Sequence, residues 1–308
     1  MGGTRHPDPT TTWHQWALGA LRGPSQIFFQ QNVVTGALVL IAFVIADWRM
    51  GVLALIGAVG GMLGGRAVGF PPSSVASGMQ SFCGTLVGAA VFAALGGDAW
   101  WSYVLAFAGG LATGPVTWLV DALFTRTRLA VFSLPSTTAP FVIVATVVVL
   151  ATLPLAVDAG PSDLPDEPVA AFFLSILTNV SQVVLVDHPL SGAVILIGLF
   201  IASRPVGLAA LLGSVLGSAT AVALGESWSE VANGLTNYSG VLTAIALTVT
   251  FLTSSAASWL YALPWIVVTA VVTLFMHRAG LETYTWPYIL TTWAALIVAH
   301  SVRALRRA

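Results

Sequence analysis

The chain has 308 residues, of which 57% are hydrophobic and only 7% charged. A soluble domain carries about 25% charged residues, so this chain cannot coat a water-facing surface and must present most of its area to lipid. A net charge of −1, eleven basic residues that are all Arg, and one cysteine exclude a phosphate-binding basic patch, an intrachain disulfide and a CxxC metal or redox pair.

Met1–Trp16 is polar and lacks an apolar run, so no cleavable signal peptide is expected. Ten apolar spans are then predicted: Val33–Ile45, Gly51–Gly64, Val75–Leu95, Trp100–Leu119, Leu129–Leu153, Leu190–Ile201, Val206–Leu224, Val231–Leu252, Ala257–Phe275 and Tyr288–Val302. A helix needs about 20 residues to cross the hydrocarbon core, so the shorter runs are expected to be extended, tilted or buried. Between the fifth and sixth spans, Pro154–Pro168 holds Asp158, Asp163, Asp166 and Glu167 and no Arg.

This division implies an N-terminal segment (1–24), a first membrane repeat (25–153), an acidic linker (154–168), a second repeat (169–302) and a basic tail (303–308). The positive-inside rule puts the linker outside and both termini in the cytoplasm, with Arg5, Arg22, Arg303, Arg306 and Arg307. Arg66, Arg126, Arg128 and Arg204 fall on the same inner side, whereas Arg49 and Arg278 do not. The Arg-only usage fits a GC-rich bacterial gene, hence a bacterial inner membrane.

The halves overlay. Gln26-Ile27 followed by Thr35-Gly36 matches Gln182-Val183 followed by Ser191-Gly192, and at the same spacing Gly78–Leu86 matches Gly234–Leu242. Leu134–Phe141 (LPSTTAPF) matches Leu281–Tyr288 (LETYTWPY). Five spans per half is an odd number, so the second copy must run upside down. The expected fold is an all-α membrane protein of two inverted five-helix repeats, about ten transmembrane helices plus re-entrant or half helices, around a central pore. In such proteins the substrate site lies near the midplane, where matching segments are interrupted.

The residues of these blocks admit two readings each. Gln26 and Gln182 are helix–helix glue or solute ligands. Thr138 and Thr285, beside Pro140 and Pro287, bond their own helix or offer an oxygen at a break. Phe29, Phe82 and Tyr238 are packing aromatics or the walls of a flat slot. Asp187 is expected to cap a helix. Glu282, at the position of Pro135, faces a pore mouth or sits in a first helical turn. No HExxH, GxSxG or P-loop is present, and no enzyme is expected.

These blocks resemble the urea transporter family. QIFFQQNVVTG and QVVLVDHPLSG are similar to its QVxFxNNPxTG, the two glycine–aromatic–leucine blocks to its paired blocks, and LPSTTAPF to its LPxxTxPF, over about Ser25–Trp293. The resemblance implies a homotrimer with one passive urea pore per protomer and no cofactor. It implies that Gln26 and Gln182 bond urea nitrogens. Ile27, Phe29, Phe82 and Leu86 would form one slot, Val183, Leu185, Tyr238 and Leu242 the other, with Thr138 and Thr285 at the centre. The departures are Val33, Cys83, Leu185, Ser239, Glu282 and Tyr288, which bear on slot shape and solute. The alternatives are a pore for a short amide or ammonia, and a proton-coupled carrier using Glu282 or Asp187.

Overall fold

The computed structural model describes residues 12–157, 164–281 and 283–308. Arg5, Asp158, Asp163 and Glu282 lie outside the described residues, and so do the expectations placed on them.

Fourteen α-helices are present among the described residues, and they pair off by position. The first seven are α1 (Trp13–Gln26), α2 (Val33–Ala46), α3 (Trp48–Ala67), α4 (Pro72–Ala76), α5 (Phe82–Leu95), α6 (Trp100–Arg126) and α7 (Ala139–Ala151). Their counterparts are α8 (Pro168–Gln182), α9 (Pro189–Ala202), α10 (Arg204–Ala223), α11 (Trp228–Asn233), α12 (Ser239–Ile245), α13 (Ala256–Arg278) and α14 (Trp286–Ala299).

Four helices, α3, α6, α10 and α13, are long and apolar enough to cross a membrane. The remaining apolar helices are shorter. Fourteen residues, as in α2 or α9, rise about 21 Å, less than the roughly 30 Å of hydrocarbon. They reach further only by joining others through breaks. Three intervals read from the sequence as single spans are interrupted in this way, Val231–Leu252 among them, which breaks between α11 and α12 where Gly234 takes φ +82°. Val75–Leu95 breaks between α4 and α5, where Gly78 takes φ +85°. Leu129–Leu153 breaks between a short 3-10 turn at Arg128–Phe132 and α7, where Ser133 and Thr137 take positive φ. Hydropathy does not register these breaks because the residues on both sides are apolar. Conversely, α1 and α8 were not among the predicted spans, because their last turns carry buried Ser and Gln rather than apolar residues.

Side-chain caps explain where the helices start. Asn32 accepts the Thr35 N–H at 3.0 Å and opens α2. Asp47 accepts the Arg49 N–H at 2.8 Å and opens α3. His188 caps α9 by accepting the Ser191 N–H at its Nδ1, at 3.4 Å. This corrects the expectation for Asp187: α9 begins at Pro189, so the capping position falls one residue later. A single extended residue joins α2 to α3 and α9 to α10, and its backbone angles agree within a few degrees: Asp47 at φ −162°, ψ 129° and Ser203 at φ −164°, ψ 125°.

The two repeats meet along α2 and α9. Thr35 Oγ1 donates to Gly198 O at 2.7 Å, and Ser191 Oγ donates to Ala42 O at 2.8 Å. Thr35 and Ser191 occupy equivalent positions, as do Ala42 and Gly198. This reciprocity is the signature of a two-fold relation between the halves. As one chain advances from 35 to 42 its partner retreats from 198 to 191, so α2 and α9 run antiparallel. Both bonds join a buried hydroxyl to a helix carbonyl, the sort of polar contact that holds apolar helices together where water is scarce.

The two arginines that depart from the charge asymmetry are both paired. Arg49 bridges Asp47 at 2.6 Å and also contacts Asp98. Arg278 bridges Glu226 at 2.7 Å.

Candidate functional site

Six chain breaks converge where the repeats face one another, and they match in pairs. The first pair follows α1 and α8. Helix α1 ends because Gln30 N–H turns back to Ser25 O at 3.0 Å, and Val186 N–H does the same to Ser181 O at 3.1 Å. Each turn forces its middle residue into the left-handed region, Phe29 at φ 61° and Leu185 at φ 65°. Non-glycine residues held there cost on the order of 1–3 kcal/mol each and persist where surrounding structure imposes them.

Just ahead of each turn stands a buried glutamine. Gln26 Nε2 donates to Ser77 O at 2.9 Å, and Gln182 Nε2 donates to Asn233 O at 3.1 Å. Ser77 and Asn233 are equivalent positions in the second pair of breaks, between α4 and α5 and between α11 and α12. The amide nitrogens therefore do the gluing. No donor among the described residues reaches either Oε1, so each glutamine points an acceptor away from the bond that fixes it. The amide nitrogen meets the glue reading, and the oxygen remains available as an acceptor.

The third pair of breaks precedes α7 and α14. Thr137 at φ 50° and Tyr284 at φ 39° repeat the left-handed geometry. Thr138 and Thr285 follow, and their hydroxyls meet at 2.6 Å. Neither hydroxyl bonds back to its own helix. Instead the two repeats touch at one shared hydrogen bond, flanked on each side by a proline in the first helical turn.

Around these polar points the walls are apolar. Ile27, Leu86 and Leu242 are fully buried, and Val183, Phe82 and Tyr238 nearly so, while Phe29 and Leu185 are half-buried. The Phe29 ring packs against Phe251 at 5.4 Å and Tyr288 at 6.1 Å, so it reaches across to the second repeat. Tyr238, at the position of Phe82, uses its hydroxyl to donate to the Tyr284 carbonyl. On the first-repeat side the Cys83 thiol approaches the Thr137 carbonyl at 3.8 Å, a much weaker contact. Trp293 Nε1 donates to Pro135 O at 2.9 Å and ties α14 to the first repeat's break. A cavity of about 400 Å³ opens beside this region, lined by Val149, Leu150, Met276, Leu281, Tyr284 and Trp286, and it is not enclosed by the two glutamines.

Sequence reasoning singled out the glutamines, the threonines and the slot residues. It did not find Ser77 and Asn233, which hold the amides, nor the Thr137–Tyr284 pair with its left-handed backbone. The available signal for these was position: each pair shares the spacing of a motif already found. Asp187 is exposed, two residues ahead of the start of α9.

The comparisons with known proteins agree on one family. The family model described as "Urea transporter" matches residues 18–300. Urea transporter 1 of Rattus norvegicus is 27% identical over 290 residues, covering 90% of this chain and 76% of that protein. Urea transporter 1 of Ovis aries is 25% identical over 296 residues, covering 92% and 77%. Urea transporter 1 of Mus musculus is 26% identical over 290 residues, covering 90% and 76%.

Proposed function

The chain belongs to the urea transporter family, and on that premise we propose how it carries urea across its membrane: passively, along a narrow path between the two repeats. It is a multi-pass membrane transporter and not an enzyme. The path runs from one glutamine to the other. Gln26, Ile27, Phe29, Phe82 and Leu86 frame one slot; Gln182, Val183, Leu185, Tyr238 and Leu242 frame the second; Thr138 and Thr285 stand midway.

The observation that carries this reading is the pairing of interrupted helices about a two-fold relation, with an uncommitted amide oxygen at each end and a hydroxyl pair between them. Broken helices at a repeat interface are where transporters place their substrates. Urea is planar and donates through four N–H groups. A succession of acceptors lets it exchange partners stepwise, with binding favourable enough to enter and weak enough to leave. The apolar walls exclude hydrated ions, since they return none of the lost hydration.

The same reading inverts the second repeat about an axis in the membrane plane, supported by the antiparallel α2 and α9. It puts both termini in the cytoplasm of a bacterial inner membrane, supported by the arginine distribution. A homotrimer rests on the family resemblance, and native mass spectrometry of the purified protein tests it, with three copies expected.

The transport mode is tested by stopped-flow light scattering on proteoliposomes. Fast urea entry is expected, unchanged by an imposed pH or sodium gradient. Gradient-dependent uptake would replace this reading with a coupled carrier, and fast entry of short amides or ammonia without urea would replace the solute.

A further inference from the structure

The proposed path is rich in acceptors. Both glutamine amide nitrogens are committed to carbonyls, which leaves their oxygens. Backbone carbonyls at the breaks are acceptors too. The Thr138–Thr285 pair spends one of its two hydroxyl protons on itself. This suits the N–H edges of urea. Its carbonyl oxygen needs the opposite, a donor.

Two buried hydroxyls beside the central threonines are uncommitted. Tyr288 is 0% exposed and Thr137 is 7% exposed, and among the described residues neither Tyr288 OH nor Thr137 Oγ1 completes a hydrogen bond. The two groups are near enough to interact, and a contact between them would engage only one of their two hydroxyl protons. Buried polar groups in folded proteins almost always have a partner, and each exception calls for an explanation. Chain position sharpens the point. Tyr288 occupies the place of Phe141 in the first repeat, and a phenylalanine would fill that packing position with no orphaned oxygen. The Phe29 ring of the first slot lies 6.1 Å from the Tyr288 ring, and Tyr288 stands in the first turn of α14 three residues after Thr285, so the residue sits between the slot and the central threonines. The opposite wall has Phe141, packed edge-on against Tyr284 at 5.4 Å, and offers no such donor.

We propose that Tyr288, assisted by Thr137, is a specificity-determining residue that donates a hydrogen bond to the carbonyl oxygen of urea at the centre of the path. The inference rests on the path proposed above. It makes the centre chemically lopsided: acceptors address the nitrogens at equivalent positions of both repeats, while the Tyr288 hydroxyl has no counterpart at Phe141. A solute lacking a good acceptor loses this contact and keeps the rest.

Thiourea provides that solute, because its N–H groups are retained and its sulfur accepts hydrogen bonds weakly. Urea and thiourea permeabilities are compared in proteoliposomes for the wild type, Tyr288→Phe, Thr137→Val and Gln26→Ala. Tyr288→Phe is expected to slow urea about three- to tenfold, the range of one neutral hydrogen bond, and thiourea less than about twofold, so the urea-to-thiourea ratio falls. Thr137→Val is expected to lower the ratio in the same direction, and serves if Tyr288→Phe does not yield folded protein. Gln26→Ala removes an acceptor for N–H and should slow both solutes alike. If Gln26→Ala slows both solutes but the Tyr288 and Thr137 variants leave the ratio unchanged, this inference fails and the path stands. If Gln26→Ala changes neither flux, the path itself fails. An altered water permeability at an unchanged solute ratio would make the hydroxyls a water station and overturn the proposal.

Discussion

Where α3 crosses α6 in the first repeat, glycine backbones touch; where α10 crosses α13 in the second, larger side chains and threonine hydroxyls occupy the equivalent positions. A Cβ added at Gly60 would lie 2.5 Å from Phe107 O, and one at Gly64 would lie 2.1 Å from Leu111 O. The second repeat has Leu216 and Thr220 at these places. In return it carries a chain of hydroxyls, Thr243 to Thr269 at 2.9 Å and Thr269 to Thr291 at 2.7 Å, where the first repeat has Val87, Thr113 and Val144. A second substitution of strategy surrounds α8. Asn179 Nδ2 donates to Ser214 Oγ and Ser218 Oγ, both at 2.9 Å, and Asn237 Nδ2 donates to Ser218 Oγ at 2.8 Å. The first repeat has Gly23, Ala58, Met62 and Ser81 there.

Lipid offers helices no hydrophobic reason to associate, so close backbone approach and interhelical hydrogen bonds are the available means. The two halves of this protein each lean on a different one. The contacts they share teach which features are under geometric demand. The glutamine–carbonyl bonds, the left-handed residues at Phe29 and Leu185, and the Gly57–Gly84 and Gly213–Gly240 approaches recur in both. The packing that supports them does not.

Exchanging the two strategies should break the protein most severely. Gly60→Leu copies Leu216 into the first repeat, where Phe107 and Leu111 backbone leave no room. A loss of about 3 kcal/mol or more is expected, read as failure to purify a monodisperse protein or as a large fall in melting temperature in detergent. A stable Gly60→Leu protein would show that α3 and α6 can part as α10 and α13 do. Asn179→Ala comes next. It deprives Ser214 of its donor and Ser218 of one of two, and should cost about 1–3 kcal/mol by the same measurement, with the cost confined to the second repeat's strategy.

Functional equivalence of the halves is tested by the glutamines. Gln26→Ala and Gln182→Ala should each slow urea entry about three- to tenfold and cost about 1 kcal/mol in stability through the lost bond to Ser77 or Asn233, leaving the protein folded. Clearly unequal effects would mean that one slot alone limits passage. Thr138→Val and Thr285→Val should each slow entry by a smaller factor, about threefold, and the double variant should be less than multiplicative because the two hydroxyls share one bond. The smallest effect is expected at the helix junctions. Arg49 beside it holds the Asp47 carboxyl below its ordinary range. A depressed pKa in the folded state stabilises above the unfolded pKa, and the contribution is lost as pH falls through the lowered value. Asp47→Asn should therefore melt slightly earlier than wild type at neutral pH and match it in strong acid. Its counterpart Ser203 has no such dependence to lose.

The candidate site was legible to the extent that its residues sit in repeated motifs. Gln26 and Gln182, Thr138 and Thr285, and the proposed slot residues were singled out because they sit in blocks that recur in both halves. Helices α1 and α8 were not, since their buried Ser and Gln read as surface residues in a chain without a partner. The breaks before α5 and α7 were also hidden: an apolar run looks continuous whether or not one of its residues turns left-handed. The cap of α9 was misplaced by one residue because Asp is the stronger capping residue type, while the start of the helix at Pro189 makes His188 the cap.

Composition alone determined that this chain lives in lipid, because so few charges cannot solvate a surface. Repetition alone determined that it has two related halves and which positions correspond. Only the tertiary structure decided that Thr35 reaches Gly198 while Ser191 reaches Ala42, that the two central threonines bond each other, and that the Tyr288 and Thr137 hydroxyls are buried without a completed hydrogen bond among the described residues. The reason is physical. Burial in a membrane protein follows from hydropathy, which is a sum over residues, whereas a hydrogen bond depends on where two distant backbones place their atoms to within a few tenths of an ångström.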